Sequence, residues 1–241
     1  MTGAVAVGDG LKLGGGAPWS FAGPVADGFD EHVSRSVPQY EVGHRLVVDL
    51  GEHFIRPGGT VYDVGCSTGK LLAAVDARHR ARGAQLVGLD VEPDMVRTAR
   101  RRFADRADVE IALADARGYP WAPACLVVAH YTLQFVPVGD RPTLLTALYG
   151  ALEPGGALLW FEKTLAPSPR LQDVAAQAYS EHKLTAGYEP GEVLAKARSL
   201  RGVLYPLTSS ENRAMLRAAG FRDVMTVHQH LAFEGVLAVK S

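Results

Sequence analysis

Thr60-Val61-Tyr62-Asp63-Val64-Gly65-Cys66-Ser67-Thr68-Gly69 is the stretch that decides the fold. A short β-branched run leads into a glycine-bounded turn, and Lys70 to Arg80 continues as an apolar helical segment, so the order is strand, turn, helix. Upstream, Arg56-Pro57-Gly58-Gly59 is a stop. It closes a helical region from Phe21 to Phe54, which is interrupted at Val37-Pro38 because proline disfavours helix in the residue before it. Downstream the pattern repeats. Gln85 to Asp90 reads as a second strand, Pro93 to Ala104 as a helix, Val109 to Leu113 as a third strand and Cys125 to Ala129 as a fourth. A helix from Asp140 to Leu152 is closed by Glu153-Pro154-Gly155-Gly156, and Ala157 to Glu162 is a fifth strand. Strands alternating with helices at this spacing predict an α/β fold, a doubly wound and mostly parallel sheet with helices on both faces.

Residues 165–206 break the rhythm with Pro and Gly punctuation, which predicts a helical insertion after the fifth strand that covers the ligand-binding edge. Ser209 to Ala219 is then a helix with Ser209 or Ser210 as its N-cap. Val224 to Leu231 and Gly235 to Val239 are predicted to finish the sheet as a C-terminal antiparallel hairpin. Residues 1–17 hold six glycines among small residues and read as a flexible leader, leaving 18–241 as a single domain.

Composition narrows the partners. With 25 Lys and Arg against 26 Asp and Glu, the net charge of -1 lacks the footprint of a protein that binds by neutralising phosphates. No nucleic-acid partner is expected. No apolar run approaches the roughly 18 residues of a bilayer span, and no basic-then-apolar export signal is evident. The two cysteines, Cys66 and Cys125, make no disulfide framework or metal spacing. These features predict a cytoplasmic protein acting on a small molecule, without membrane contact.

Several chemistries compete for the glycine turn. A P-loop needs four residues between its glycines and a Ser or Thr after the lysine, whereas three residues and Leu71 stand here. The dinucleotide fingerprint lacks its middle glycine, replaced by Ser67. The nucleophile elbow G-x-S-x-G is matched letter for letter by Gly65-Cys66-Ser67-Thr68-Gly69, so a serine hydrolase stays open, although no earlier strands or oxyanion loop precede Thr60. An adenosyl-ligand site uses more of the surroundings. Gly65 and Gly69 admit close backbone approach, Asp90 ends the next strand where an acidic side chain meets a ribose diol, and Asp115 follows the third strand. Cys66 reads as a small hydrophobe in the turn.

These residues, Val61 to Gly69, Gly88-Leu89-Asp90, Asp115 and Leu152 to Ala157, resemble the pattern of the class I S-adenosylmethionine-dependent methyltransferases with their Rossmann-like fold. Within that superfamily the chain is most similar to the carboxy-S-adenosylmethionine synthases, through Arg35 to Tyr40, Tyr131 to Phe135, Glu162-Lys163 and Ala197 to Leu200. Those enzymes convert S-adenosylmethionine and prephenate to a carboxylated sulfonium used in transfer-RNA modification. The resemblance implies S-adenosyl-L-methionine as cofactor. It also implies Tyr40 near the methionine part, Gly65, Cys66 and Ser67 under the ligand, Asp90 and Val91 at the ribose and adenine, and Asp115 and Ala116 beside the adenine. Arg198 falls near the family's arginine that reaches a carboxylate from a neighbouring subunit, which implies a homodimer. His130 stands where the family has an asparagine.

The expectation drawn is a methyltransferase of specialised metabolism acting on a small-molecule acceptor, acidic ones included. Carboxylated-cofactor synthesis is the alternative, and serine hydrolysis the second. His130 and Arg198 are the catalytic candidates, the first as a general base or a ligand-positioning residue, the second as the grip on an acidic acceptor. His228 and His230 are two apart on a strand and share a face. With His130 or His182 they could ligate a metal, but they are read as pocket or edge polar residues, and no metal is expected. Arg100-Arg101-Arg102 reads as a solvated helix face.

Overall fold

The computed structural model describes residues 28–241, together with the backbone of 5–7, 11–13 and 25–27. Within the expected leader, β1 (Val5–Val7) and β2 (Leu11–Leu13) pair as an antiparallel hairpin, and β1 packs against a later helix. The rest of 1–17 lies outside the described residues. Next come α1 (Val25–Ser36), α2 (Tyr40–Phe54), β3 (Thr60–Val64) and α3 (Lys70–His79). They are followed by β4 (Gln85–Asp90), α4 (Pro93–Arg102), β5 (Val109–Leu113), β6 (Ala124–His130), α5 (Arg141–Ala151) and β7 (Leu152–Lys163). The chain ends with α6 (Pro169–Thr185), α7 (Pro190–Ser199), α8 (Ser209–Ala219), β8 (Asp223–His230) and β9 (Phe233–Val239). As predicted, the helical break falls at Val37-Pro38.

The seven-stranded sheet has the order β5-β4-β3-β6-β7-β9-β8 and is parallel except for β9, which pairs antiparallel with both neighbours. This is the doubly wound sheet with its C-terminal hairpin. Side chains along each strand alternate between two cores. Val61, Leu86, Leu126, Leu159 and Phe161 face one core, with Val47 of α2 and Leu72 of α3. Tyr62, Val87, Val127, Leu158 and Trp160 face the other, with Leu144 and Leu148 of α5 and Leu216 of α8. Every residue of β6 is buried, which is what a central strand covered on both faces requires.

Two boundaries differ from the sequence reading. Glu153-Pro154-Gly155-Gly156, expected to precede the fifth strand, lies inside β7 as an irregularity. Ala124 pairs with Leu152, and Leu126 then pairs with Ala157. Gly155 N–H bonds Lys240 O at 2.7 Å and Lys240 N–H bonds Gly156 O at 2.9 Å, so the ladder holds the turn and the strand does not break. The cap of α8 is Thr208, neither Ser209 nor Ser210: its hydroxyl accepts from Glu211 N–H while the Glu211 carboxylate accepts from Thr208 N–H. That reciprocal pair is a capping box, which needs the acidic residue three positions on.

The insertion is helical as predicted, comprising α6 and α7, and its exit is tied to the sheet. Arg141, fully buried, donates to Val136 O, Gln134 O and Tyr205 O, and Tyr205 N–H donates to Gln134 O at 2.8 Å.

Candidate active site

At the carboxyl ends of β3, β4, β5 and β6, with α1, α6 and α7 closing over them, lies a cavity of about 670 Å³. Its floor is the glycine turn. Gly65 N–H and Cys66 N–H both donate to Leu89 O, at 2.7 and 2.9 Å, which folds the turn onto β4. Gly65 has φ 74°, and a Cβ there would stand 2.4 Å from the Thr132 side chain. Only glycine satisfies both conditions. Ser67 follows with φ 49°, a left-handed backbone that is strained for a residue with a side chain.

Asp90 fixes this geometry. One carboxylate oxygen accepts Ser67 N–H at 2.8 Å and the other accepts Glu92 N–H at 2.9 Å. Burial raises its pKa against the pull of those bonds. Each oxygen keeps a lone pair for a ligand hydroxyl. Asp63, deeper on β3, is buried with one oxygen unbonded, and desolvation with the nearby Asp90 pushes its pKa up to about 7. Asp115 caps a short turn after β5 by accepting Arg117 N–H, and the Arg117 guanidinium, itself shared with Asp140, holds the Asp115 pKa down. Beside Asp90, Val91 leaves 58% of its surface exposed and offers an apolar face.

His130 ends β6 inside an aromatic cage of Tyr40, His44, Tyr131 and Phe161, with ring centroids 4.7 to 4.9 Å away. Among the described residues, neither ring nitrogen has a hydrogen-bond partner. Burial, helped by His44 and His228, pushes its pKa well below the usual histidine range, so the imidazole is neutral. Gly43 makes room for it: a Cβ on that residue would lie 2.5 Å from His130 Nε2. Tyr131, the next residue, sits at φ 61°.

The cavity therefore brings together Tyr40, Gly65, Cys66, Ser67, Asp90, Val91, Asp115, Ala116 and His130. Two expected residues stand apart. Gly69 opens α3 and packs against Phe103 and Ala99, supporting the turn from behind. Arg198 is exposed on α7 and does not line the cavity of its own chain. Ser67 has no hydrogen bond to a histidine among the described residues, so the elbow reading lacks a base for its serine. No cluster of three or more potential metal ligands occurs among the described residues. No described helix is long and apolar enough to cross a membrane.

An adenosyl sulfonium suits this donor set. The glycine turn allows close backbone approach, Asp90 retains acceptors for a diol, Val91 offers a flat apolar contact, and the buried Asp63 oxygen lacks a partner. Residues 61–156 match the family described as methyltransferase domain. Over 223 residues the chain is 34% identical to the carboxy-S-adenosyl-L-methionine synthase of Staphylococcus epidermidis, covering 92% of this chain and 97% of that protein. It is 36% identical to the synthase of Methylococcus capsulatus over 226 residues, 92% of this chain and 93% of that one. The chain belongs to the carboxy-S-adenosyl-L-methionine synthase family. Like the family's other members, it is an S-adenosylmethionine-dependent enzyme. Its fold also matches human N-acetylserotonin methyltransferase in complex with S-adenosylmethionine, with a TM-score of 0.57, 23% identity and coverage of 83% of this chain and 52% of that one. An O-methyltransferase family protein from Burkholderia thailandensis matches with a TM-score of 0.62, 22% identity and coverage of 90% and 59%.

Three side chains of this synthase-family cavity escaped the sequence reading, Lys183, Lys196 and Tyr179, and Lys163 entered it only through the resemblance. A compositional signal existed. The chain has six lysines against nineteen arginines, and four of the six, Lys70 among them, line the cavity.

Proposed function

We propose that the protein transfers the methyl group of S-adenosylmethionine to a small-molecule acceptor, with His130 as the group that takes the acceptor's proton. One observation carries this reading: a neutral, unpartnered imidazole borders the same cavity as the glycine turn. The imidazole offers a basic lone pair that asparagine lacks; burial weakens that base, so the proton it takes is one made acidic as the acceptor attacks the methyl group. S-adenosylmethionine, when bound, supplies an already activated methyl group, so the chain's task is alignment and exclusion of water. Asp90 would hold the ribose, Val91, Asp115 and Ala116 the adenine, and Tyr40 with the turn residues the methionine part. Helices α6 and α7 would act as the cover. A homodimer fits the exposed Leu171, Val174 and Leu194 on those helices, and a cytoplasmic setting fits two free, buried cysteines.

Carboxylated-cofactor synthesis is the second reading, favoured by the identity to proteins of that name over nearly their full length. Mass spectrometry separates the two. Incubation with S-adenosylmethionine and prephenate should leave the sulfonium without an added carboxyl group, and His130→Asn should lower turnover on the true acceptor with cofactor affinity kept. Stoichiometric appearance of a carboxylated sulfonium would overturn the methyltransferase reading.

A further inference from the structure

Helix α7 is fastened to α1 through one buried amine. Lys196 Nζ lies 2.6 Å from His32 Nε2 and 2.6 Å from Ser36 Oγ, one helical turn apart on α1, and all three residues line the cavity. Neither of these partners carries a negative charge. His32 is neutral, its pKa lowered to about 3 by burial and then by Lys196 and Lys183, and a serine hydroxyl offers only a dipole. Other charged side chains of the lining pair elsewhere: Lys70 with Glu41, Asp30 with Thr68 and Arg102, Arg117 with Asp115. Arg201, past the end of α7, adds one more cation to the lining.

An ammonium in this position is unfavourable. It has lost its hydration to burial and stands near two further cations, Lys183 of α6 and Lys163 of β7, and both effects drive its pKa well below the ordinary lysine value. The free base suits the geometry better. With the His32 Nδ1 proton shared with Tyr188 Oη, 3.4 Å away, Nε2 is left to accept. A neutral amine that gives its two hydrogens to His32 Nε2 and Ser36 Oγ keeps a lone pair at its third position, and that lone pair is a nucleophile. Val33 and Val37 from the α1 side and Val193, Ala197 and Leu200 from the α7 side give this part of the cavity an apolar lining.

We propose that Lys196, held by His32 and Ser36 at the junction of α1 and α7, is a nucleophilic amine that binds a small, apolar aldehyde or ketone covalently as an imine. The Nζ lone pair forms the C–N bond, and the carbonyl oxygen leaves as water with the two hydrogens of the amine. No electrons are gained or lost, and hydrolysis restores the lysine. The imine neither needs nor precludes methyl transfer, so it stands apart from that reading.

The test uses pentane-2,4-dione, an uncharged diketone whose condensation product with an amine is a conjugated enaminone that absorbs in the near ultraviolet. At pH 7 the full-length protein should gain one equivalent, and peptide mass mapping should find the mass of one dione less one water on Lys196. Its rate should exceed that of Nα-acetyl-lysine by about tenfold or more, because a lowered pKa leaves more of the amine unprotonated near neutrality. Lys196→Met should lose the enaminone and keep affinity for S-adenosylhomocysteine; if that variant does not fold, the peptide map and the rate of the parent decide alone. No enaminone at pH 7, a label on Lys163 or Lys183 in place of Lys196, or a rate no greater than that of Nα-acetyl-lysine would overturn the assignment. Because the readout is a covalent bond and not turnover, failure of methyl transfer leaves the amine untouched, and failure of the amine leaves methyl transfer untouched.

Discussion

At the scale of single residues, the site depends on two glycines and one carboxylate. Gly43 lies within α2, where alanine would ordinarily favour the helix by about 1 kcal/mol. Its Cβ, however, would meet His130 Nε2 at 2.5 Å and Phe161 at 3.4 Å. Gly43→Ala should therefore give no rise in melting temperature and should displace the imidazole, seen as lost turnover with S-adenosylhomocysteine affinity intact. Asp90→Asn should act on the other half of the site. An amide offers one acceptor where the carboxylate offers two, so the anchor of Ser67 N–H or of Glu92 N–H is lost. Affinity for S-adenosylhomocysteine, measured calorimetrically, should fall by about tenfold or more. Asp90 and the turn were legible because a strand end and a glycine pair are local patterns. The lysines were not, since their meeting in one cavity is a property of β7, α6 and α7 coming together.

At the scale of elements, alternation of strand and helix foretold the sheet, and proline rules placed the break between α1 and α2. Boundaries went astray where long-range bonds decided them. β7 runs through its Pro-Gly-Gly because the C-terminal Lys240 backbone pairs with it, a partner 84 or more residues away that no local window contains. The cap of α8 shows a subtler case, with Thr208, Ser209 and Ser210 all eligible by residue type and only Thr208 standing three positions before Glu211. Thr208→Ala should cost about 1 kcal/mol in urea unfolding. Ser209→Ala should stay within about 0.5 kcal/mol of the parent.

For the molecule as a whole, buried titratable groups set the pH range of the fold. Burial raises Asp63 to about 7 and Glu162 to about 8, both from ordinary carboxylate values near 4. It lowers His44 to about 4 and His32 to about 3. A carboxyl whose folded pKa is raised stabilises the fold below its unfolded pKa and loses that contribution as pH rises through the folded value. The histidines do the converse, losing theirs as pH falls below 6.5 towards their folded values. Above 6.5 the histidines no longer contribute to the slope, while Lys183 and Lys196, lowered by burial, raise stability as pH rises, so the carboxyl effect is read as a difference. Relative to Glu162→Gln, the unfolding free energy of the parent should fall between pH 6.5 and 8 in urea titrations at half-unit steps. The Arg141 tie has a mechanical consequence. Tyr205 is bound at both its N–H and its carbonyl, and the entry is held too, Thr164 N–H on Ala232 O and Leu165 N–H on Leu207 O, so the cover hinges between two fixed ends. Slow hydrogen exchange at the Tyr205 amide, beside faster exchange in 187–199, is the trace such a hinge leaves.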